Sequence, residues 1–152
     1  MNLPISPRER LYRRYFTVEE VNRLLPRLEA WLAEMRQLRA HLLAVQEKVQ
    51  AVGAEAYLDA GGRLMTDYLA ALNRYRALER RIEEEGILLR DVVSGLCDFP
   101  ALRFDRLVYL SWMSGEPEVL YWHEVDTGLP GRRPLDESGS DDALVESEEN
   151  KV

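Results

Sequence analysis

From Val21 onward the apolar positions Val21, Leu24, Leu28, Trp31, Met35, Leu38, Leu42, Val45, Val49 and Val52 fall at alternating spacings of three and four. That repeat is a heptad seam, and it predicts a long helix that pairs along one stripe. In its first half Leu25 and Leu32 lie beside the seam, so this half is expected to touch more than one partner element. The start is marked by Thr17 and Glu20, spaced as a capping box, with Phe16 and Val21 placed to form a hydrophobic staple. Pro26 sits inside the seam, where the lost N–H and the crowded preceding turn predict a kink or break between Asn22 and Leu25.

Gly53, Gly61 and Gly62 predict a chain reversal between 53 and 62. A second helical stripe follows, with Leu64, Tyr68, Ala71, Tyr75, Leu78 and Ile82, and Gly86 closes it. Two heptad helices joined by a short loop make an antiparallel coiled-coil hairpin over 17–85. Folding it at about residue 57 sets Leu78 near Met35 and leaves 17–27 overhanging the end of the second helix.

From Ile87 the period changes to two, which predicts strands at 87–93, 107–113 and 118–124, the last two joined through Ser114-Gly115-Glu116-Pro117. A turn that sets Met113 opposite Glu118 would group Val108, Leu110 and Trp112 with Val119, Tyr121 and His123 on one face. Tyr109, Met113, Leu120 and Trp122 would take the other. Both faces are largely apolar, so one should pack on the helix ends and the other beneath loops, a second subunit or a ligand. The fold class expected is α+β: a long N-terminal helical hairpin, then a small antiparallel β module over 86–135.

Composition adds limits. With 152 residues the chain suits one domain with a real core. Of its net charge of −7, six negative charges belong to the tail from Asp136 to Val152, which is read as disordered and acidic. The near-neutral remainder makes a duplex-binding protein an unfavourable reading, since that would display a basic face. Residues 1–16 read as an irregular lead-in; Arg8, Arg10, Tyr12, Arg13, Arg14, Tyr15 and Phe16 mix cations with aromatics, more simply a surface arm than a single-strand binder. No membrane span or signal peptide is expected, and the lone Cys97 fits a reducing cytoplasm with an inert buried thiol.

Candidate chemistry lies in the β module. Asp98 and His123 could form a dyad in which the carboxylate orients the imidazole. His123-Glu124 is no zinc-protease motif, because Thr127 occupies the position of the second histidine. Arg132, between Gly131 and Pro134, could hold a carboxylate or phosphate bidentately, or more simply an ion pair with Asp91, Asp98 or Asp126. Trp112 and Trp122 read as core more readily than as a stacking platform. No glycine-rich phosphate loop or serine nucleophile elbow is present. The ligand- or partner-binding candidates are therefore Asp98, Trp112, Trp122, His123, Glu124 and Arg132, with no catalytic residue, metal ligand or cofactor assigned.

The stretch from Tyr15-Phe16-Thr17-Val18-Glu19-Glu20 to Leu24-Leu25-Pro26 resembles the opening of an uncharacterised bacterial family, a domain of unknown function. The pattern resumes at Gly95-Leu96-Cys97-Asp98-Phe99-Pro100, Val108-Tyr109-Leu110-Ser111-Trp112, Tyr121-Trp122-His123-Glu124 and Gly131-Arg132-Arg133-Pro134-Leu135. The resemblance covers about residues 15–135 and implies that the Pro26 overhang and the tryptophan-rich module belong together. It places Asp98, Trp112, Trp122, His123, Gly131 and Arg132 on motif positions, with Ser111 standing where many relatives are expected to carry cysteine, which weakens any thiol mechanism. It implies no activity.

The first functional expectation is a small cytoplasmic interaction or adaptor protein whose hairpin meets a protein partner or a second copy, giving a homodimer. The alternative is a ligand-binding or hydrolytic module in which Asp98, His123, Glu124 and Arg132 converge beside a pocket.

Overall fold

The computed structural model describes residues 12, 14–53, 55, 62–103 and 105–136. Two helices, α1 (Val18–Val52) and α2 (Gly62–Glu84), precede five strands: β1 (Leu88–Asp91), β2 (Leu96–Arg103), β3 (Arg106–Trp112), β4 (Tyr121–Glu124) and β5 (Arg133–Pro134). A 3-10 turn at Leu129–Gly131 lies before the last strand. The strands form one antiparallel sheet in chain order. The architecture is α+β, as the two hydrophobic periods predict. The lead-in before Tyr12, most of the hairpin turn and the acidic tail beyond Asp136 lie outside the described residues.

α1 starts as its capping signal predicts. Thr17 Oγ1 accepts the Glu20 N–H at 3.2 Å, and the Thr17 hydroxyl donates to the Glu20 carboxylate at 3.3 Å. The return bond thus runs through the hydroxyl rather than the Thr17 backbone. No break follows at Pro26, for α1 is one helix of 35 residues. Pro26 faces solvent, while Val21, Leu24, Leu25 and Leu28 around it are buried. Packing on both sides offsets the single helical hydrogen bond the ring removes.

α2 ends in a Schellman motif: the Gly86 N–H donates to the Glu83 carbonyl at 2.9 Å and the Ile87 N–H to the Ile82 carbonyl at 3.2 Å. Gly86 takes φ 86°, a conformation that favours glycine, and Ile82 and Ile87, its flanking apolar pair, are both buried.

The sheet departs from expectation in strand number, five where three are predicted, and in register. β2 was not legible as a strand, because Gly95, Asp98 and Pro100 punctuate it and proline is unwelcome between two partners. Pro100 is accommodated because β1 pairs only as far as Asp98; beyond that, the Pro100 carbonyl accepts the Phe16 N–H at 2.7 Å from the lead-in. An antiparallel residue points its nitrogen and carbonyl to the same side. The missing Pro100 N–H therefore costs no bond to β3.

The second departure is register. β3 pairs β4 as Tyr109↔His123, Leu110↔Trp122 and Ser111↔Tyr121, one residue away from the expected alignment. Because side chains alternate with period two, that single step exchanges the faces of β4. The cause is the connection: only Tyr121–Glu124 is strand, and the Met113–Leu120 stretch turns through a Glu116 N–H bond to the Met113 carbonyl at 3.0 Å.

The resulting core face carries Cys97, Phe99 and Ala101 from β2, Val108, Leu110 and Trp112 from β3, and Trp122 from β4. It packs against Val21, Leu24, Leu28, Leu32 and Met35 of α1 and Leu78 and Ile82 of α2 in one cluster. The broadened first half of the α1 stripe is thus the half that meets the sheet. Phe16 closes the cluster edge-on to Phe99, ring centroids 5.3 Å apart. Polar ties fix the loops to α1: Val119 N–H donates to Asn22 Oδ1 at 2.8 Å, and Arg36 donates to Ser114 Oγ at 3.2 Å.

Candidate functional site

The face of the sheet turned away from the helices is polar and nevertheless buried. Period-two alternation sets Asp98 of β2, Tyr109 and Ser111 of β3 and His123 of β4 on it, and all four are less than 5% exposed. Asp98 and His123 flank β3 and meet over it, His123 Nε2 lying 3.0 Å from Asp98 Oδ1. The other Asp98 oxygen accepts Arg90 Nε at 2.9 Å, and His123 Nδ1 lies 2.7 Å from the Glu124 carbonyl. Arg90 reaches Asp98 from the irregular register between Leu89 and Asp91 in β1. Its guanidinium stands 5.3 Å from the Tyr109 ring, whose hydroxyl pairs with that of Tyr12. Burial, reinforced by the Tyr12 hydroxyl, pushes the Tyr109 phenol up to about 12.

The expected dyad therefore exists, but as a closed arrangement. A histidine acting as base must present one nitrogen to substrate while a carboxylate holds the other. Here the second nitrogen is committed to a backbone carbonyl, so the geometry serves to tie β4 to β2. A cavity of about 460 Å³ opens over Asp98, Ser111 and His123, walled by Arg90, Leu96 and the Val125–Leu129 segment.

Arg132 meets this group at Ser111 and not at the Asp98–His123 pair. Its Nη1 and Nη2 each donate to a different Glu116 carboxylate oxygen at 2.8 Å, and its Nε donates to Ser111 Oγ at 3.0 Å. The bidentate recognition anticipated for Arg132 is thus satisfied internally, by Glu116 rather than by Asp91, Asp98 or Asp126. Glu124 likewise turns away, its carboxylate accepting Arg106 Nη2 at 2.6 Å. Trp112 and Trp122 are core: Trp112 Nε1 donates to the Glu116 carbonyl at 3.0 Å, and Trp122 has the Arg103 and Arg133 guanidinium carbons 4.6 and 5.5 Å from its ring centre. Of the six singled-out residues, Asp98 and His123 converge, Arg132 touches their group only through Ser111, and Trp112, Trp122 and the Glu124 carboxylate stand apart. Arg90, Tyr109 and Ser111 complete the group; alternation along β3 sets Tyr109 and Ser111 on one face, and Arg90 reaches it from β1.

Cys97 lies on the opposite, core face, where burial pushes its thiol up to about 12. Among the described residues, no group of three or more His, Cys, Asp or Glu side chains is arranged to hold a metal ion, and no helix is long and apolar enough to cross a membrane.

A second surface lies at the outer end of the hairpin, beyond the part that meets the sheet. Val45, Gln46, Val49 and Gln50 of α1 and Met65 and Tyr68 of α2 line an apolar groove of about 280 Å³. Leu43, Leu64 and Leu69 stand 42, 41 and 48% exposed on the hairpin.

Residues 14–135 match the family described as uncharacterized conserved protein (DUF2203). The chain belongs to that family. The match spans everything from the lead-in strand contact at Phe16 to the end of β5, so hairpin and sheet are one family unit. No curated protein and no solved structure matches the chain.

Proposed function

We propose that this DUF2203 protein is a small bacterial cytoplasmic interaction protein, an adaptor, that pairs with a second copy of itself through the outer half of its helical hairpin. The sheet is the rigid base and the hairpin the presented arm. The observation that carries the reading is the apolar groove between Val45 and Val49 on one side and Met65 and Tyr68 on the other. Near the base each helix has two neighbours, its partner helix and the sheet. Farther out each has one, and the apolar positions beside the seam are left to water. A two-fold axis across the arm gives each helix its second neighbour with the same residues from another copy, forming a four-helix arrangement. The lone, deeply buried Cys97 thiol fits the reducing compartment this reading assumes.

The hydrolytic alternative with Asp98, His123, Glu124 and Arg132 has less behind it. Those four do not converge, and both His123 ring nitrogens are engaged.

Hydrogen exchange at rising protein concentration tests the proposal. Amides from Leu42 to Gln50 and from Met65 to Leu72 should gain protection as the chain concentrates, while amides of β2 and β3 stay unchanged. Equal protection of the outer hairpin at every concentration would refute it.

A further inference from the structure

On the inner half of the hairpin the sheet covers one side of both helices, and the heptad repeat carries that side outward. Arg36 of α1 donates to Ser114 Oγ at 3.2 Å and to the Val92 carbonyl at 3.5 Å, so it faces the sheet. Leu43 and Gln50 follow it at steps of seven, which keep to one face of a helix in a heptad seam. Leu32, buried in the cluster with the sheet, leads in the same way through Arg39 to Gln46. On α2, Arg76 and Glu79 wall a cavity together with Leu89 of β1. Steps of seven back from them reach Leu69 and, through Leu72, Met65. Gln46, Gln50 and Met65 line the outer groove. Sheet and groove therefore share one side of the hairpin, the sheet on its inner half and the groove on its outer half.

Beyond Arg39 this side carries no charge. Leu43, Gln46 and Gln50 of α1 and Met65, Tyr68 and Leu69 of α2 make it up, while Glu47, Lys48 and Asp67 fall at other positions of the repeat. Depletion of charge marks the centre of a protein interface. A surface that meets its own copy across a two-fold axis must complement itself. Apolar side chains do so, and so does a glutamine amide, which both donates and accepts, whereas like charges would oppose each other.

Sharing a side with the sheet fixes the direction of such a pair. Facing helices pack about 8–10 Å apart, and each sheet layer adds about 10 Å. Two copies laid parallel would bring both sheets between the arms and hold the grooves out of contact. Laid antiparallel, only the outer halves overlap, and each arm ends against the other copy's sheet. The element it meets there is the β1–β2 turn at 92–95, which stands over Arg36 and is closed by the Ser94 N–H bond to Asp91 Oδ2 at 2.8 Å. Val93 in that turn is 58% exposed. From Leu43 to the end of α1 the arm offers about 15 Å of overlap at 1.5 Å per residue.

We propose that the second copy lies antiparallel on the sheet side of the hairpin, α1 against α1 and α2 against α2, with Val93 of each copy seated on the α1 end of the other. This rests on the self-association reading of the outer groove and adds to it a direction, a side and a contact outside the groove.

Thiol cross-linking tests it. Cys97 is fully buried, so Val93→Cys and Ala51→Cys each give the full-length chain one accessible thiol, in the turn and on the exposed last turn of α1. The two variants are mixed, concentrated and joined with a short bismaleimide. With the two-fold axis at the level where Gln46 meets Tyr68, position 93 of one copy lies within about 8 Å, along the arm, of position 51 of the other. Like positions lie about 15–30 Å apart, and parallel pairing reverses that order. The mixed 93–51 product should therefore dominate, with like cross-links near background. Val93→Asp should raise the dimer dissociation constant about tenfold, the usual worth of a lost buried valine. Dominant like cross-links, a dimer without the mixed product, or an unchanged constant in Val93→Asp overturns the proposal and leaves the groove reading standing. A natural chain that stays monomeric overturns both.

Discussion

Removing Asp98 and His123 singly and together tests the closed geometry of the polar face. The two side chains are 6 and 3% exposed and 3.0 Å apart, so neither is screened by water once its partner is gone. Removing one partner from a buried pair that contains a carboxylate costs up to about 3–5 kcal/mol. Two features reduce that range here. After Asp98→Ala, His123 keeps its bond to the Glu124 carbonyl, and the freed Arg90, whose side chain is 44% exposed, turns to water. After His123→Ala, Asp98 keeps Arg90. Each single change should therefore cost about 2–3 kcal/mol, and the double change about 3, well below the sum, because it leaves no orphaned charge. The coupling is then about 1–3 kcal/mol, readable as the shift in urea midpoint at constant slope. Costs that add to within about 0.5 kcal/mol would show that the two residues act independently and would refute the reasoning.

Three further predictions concern separate parts of the fold. Thr17→Ala removes the hydroxyl that both caps Glu20 N–H and meets its carboxylate, and should cost about 1 kcal/mol in thermal or urea unfolding, with Thr17→Ser restoring it. Cys97 has an ordinary value near 9 and is held up to about 12 by burial, and Tyr109 moves from 10 to about 12. Between those limits the unfolded chain has released protons that the folded chain keeps. Stability should hold below pH 9 and fall as pH rises toward 12; a urea midpoint that rises over this range would contradict the assignment. Gly131→Ala drives a methyl into the Thr127 side chain and should cost about 1–3 kcal/mol, with Thr127→Gly in the same chain recovering part of it in thermal melts.

The helical half was legible because its signals are local and redundant. The capping pair at Thr17 and Glu20, the heptad spacing and Gly86 each mark the same boundaries, and packing over Leu24 and Leu28 makes the Pro26 interruption harmless. The sheet was less legible because its decisive terms are not local. β2 tolerates Pro100 only because β1 stops at Asp98 and Phe16 takes the vacant carbonyl, an arrangement that joins residues 84 positions apart. The β3–β4 register turns on the Glu116 bond to Met113, and one residue of slip moved His123 from the face of Val108, Leu110 and Trp112 to that of Tyr109. The pairing of Asp98 with His123 could be anticipated from residue type. That Arg132 would find Glu116 depended on the path of the chain between β4 and β5, and that Glu124 would find Arg106 on the β3–β4 register, neither of which a period in the sequence encodes.

The interaction reading is tested most directly by sedimentation equilibrium of the full-length chain beside its Val49→Glu, Met65→Glu double variant. Both substitutions place carboxylates in the outer hairpin groove, away from the sheet cluster. The account predicts a dimer for the natural chain and a monomer of unchanged helical content for the variant. A natural chain that stays monomeric at high concentration, or a variant that dimerises equally well, would contradict it.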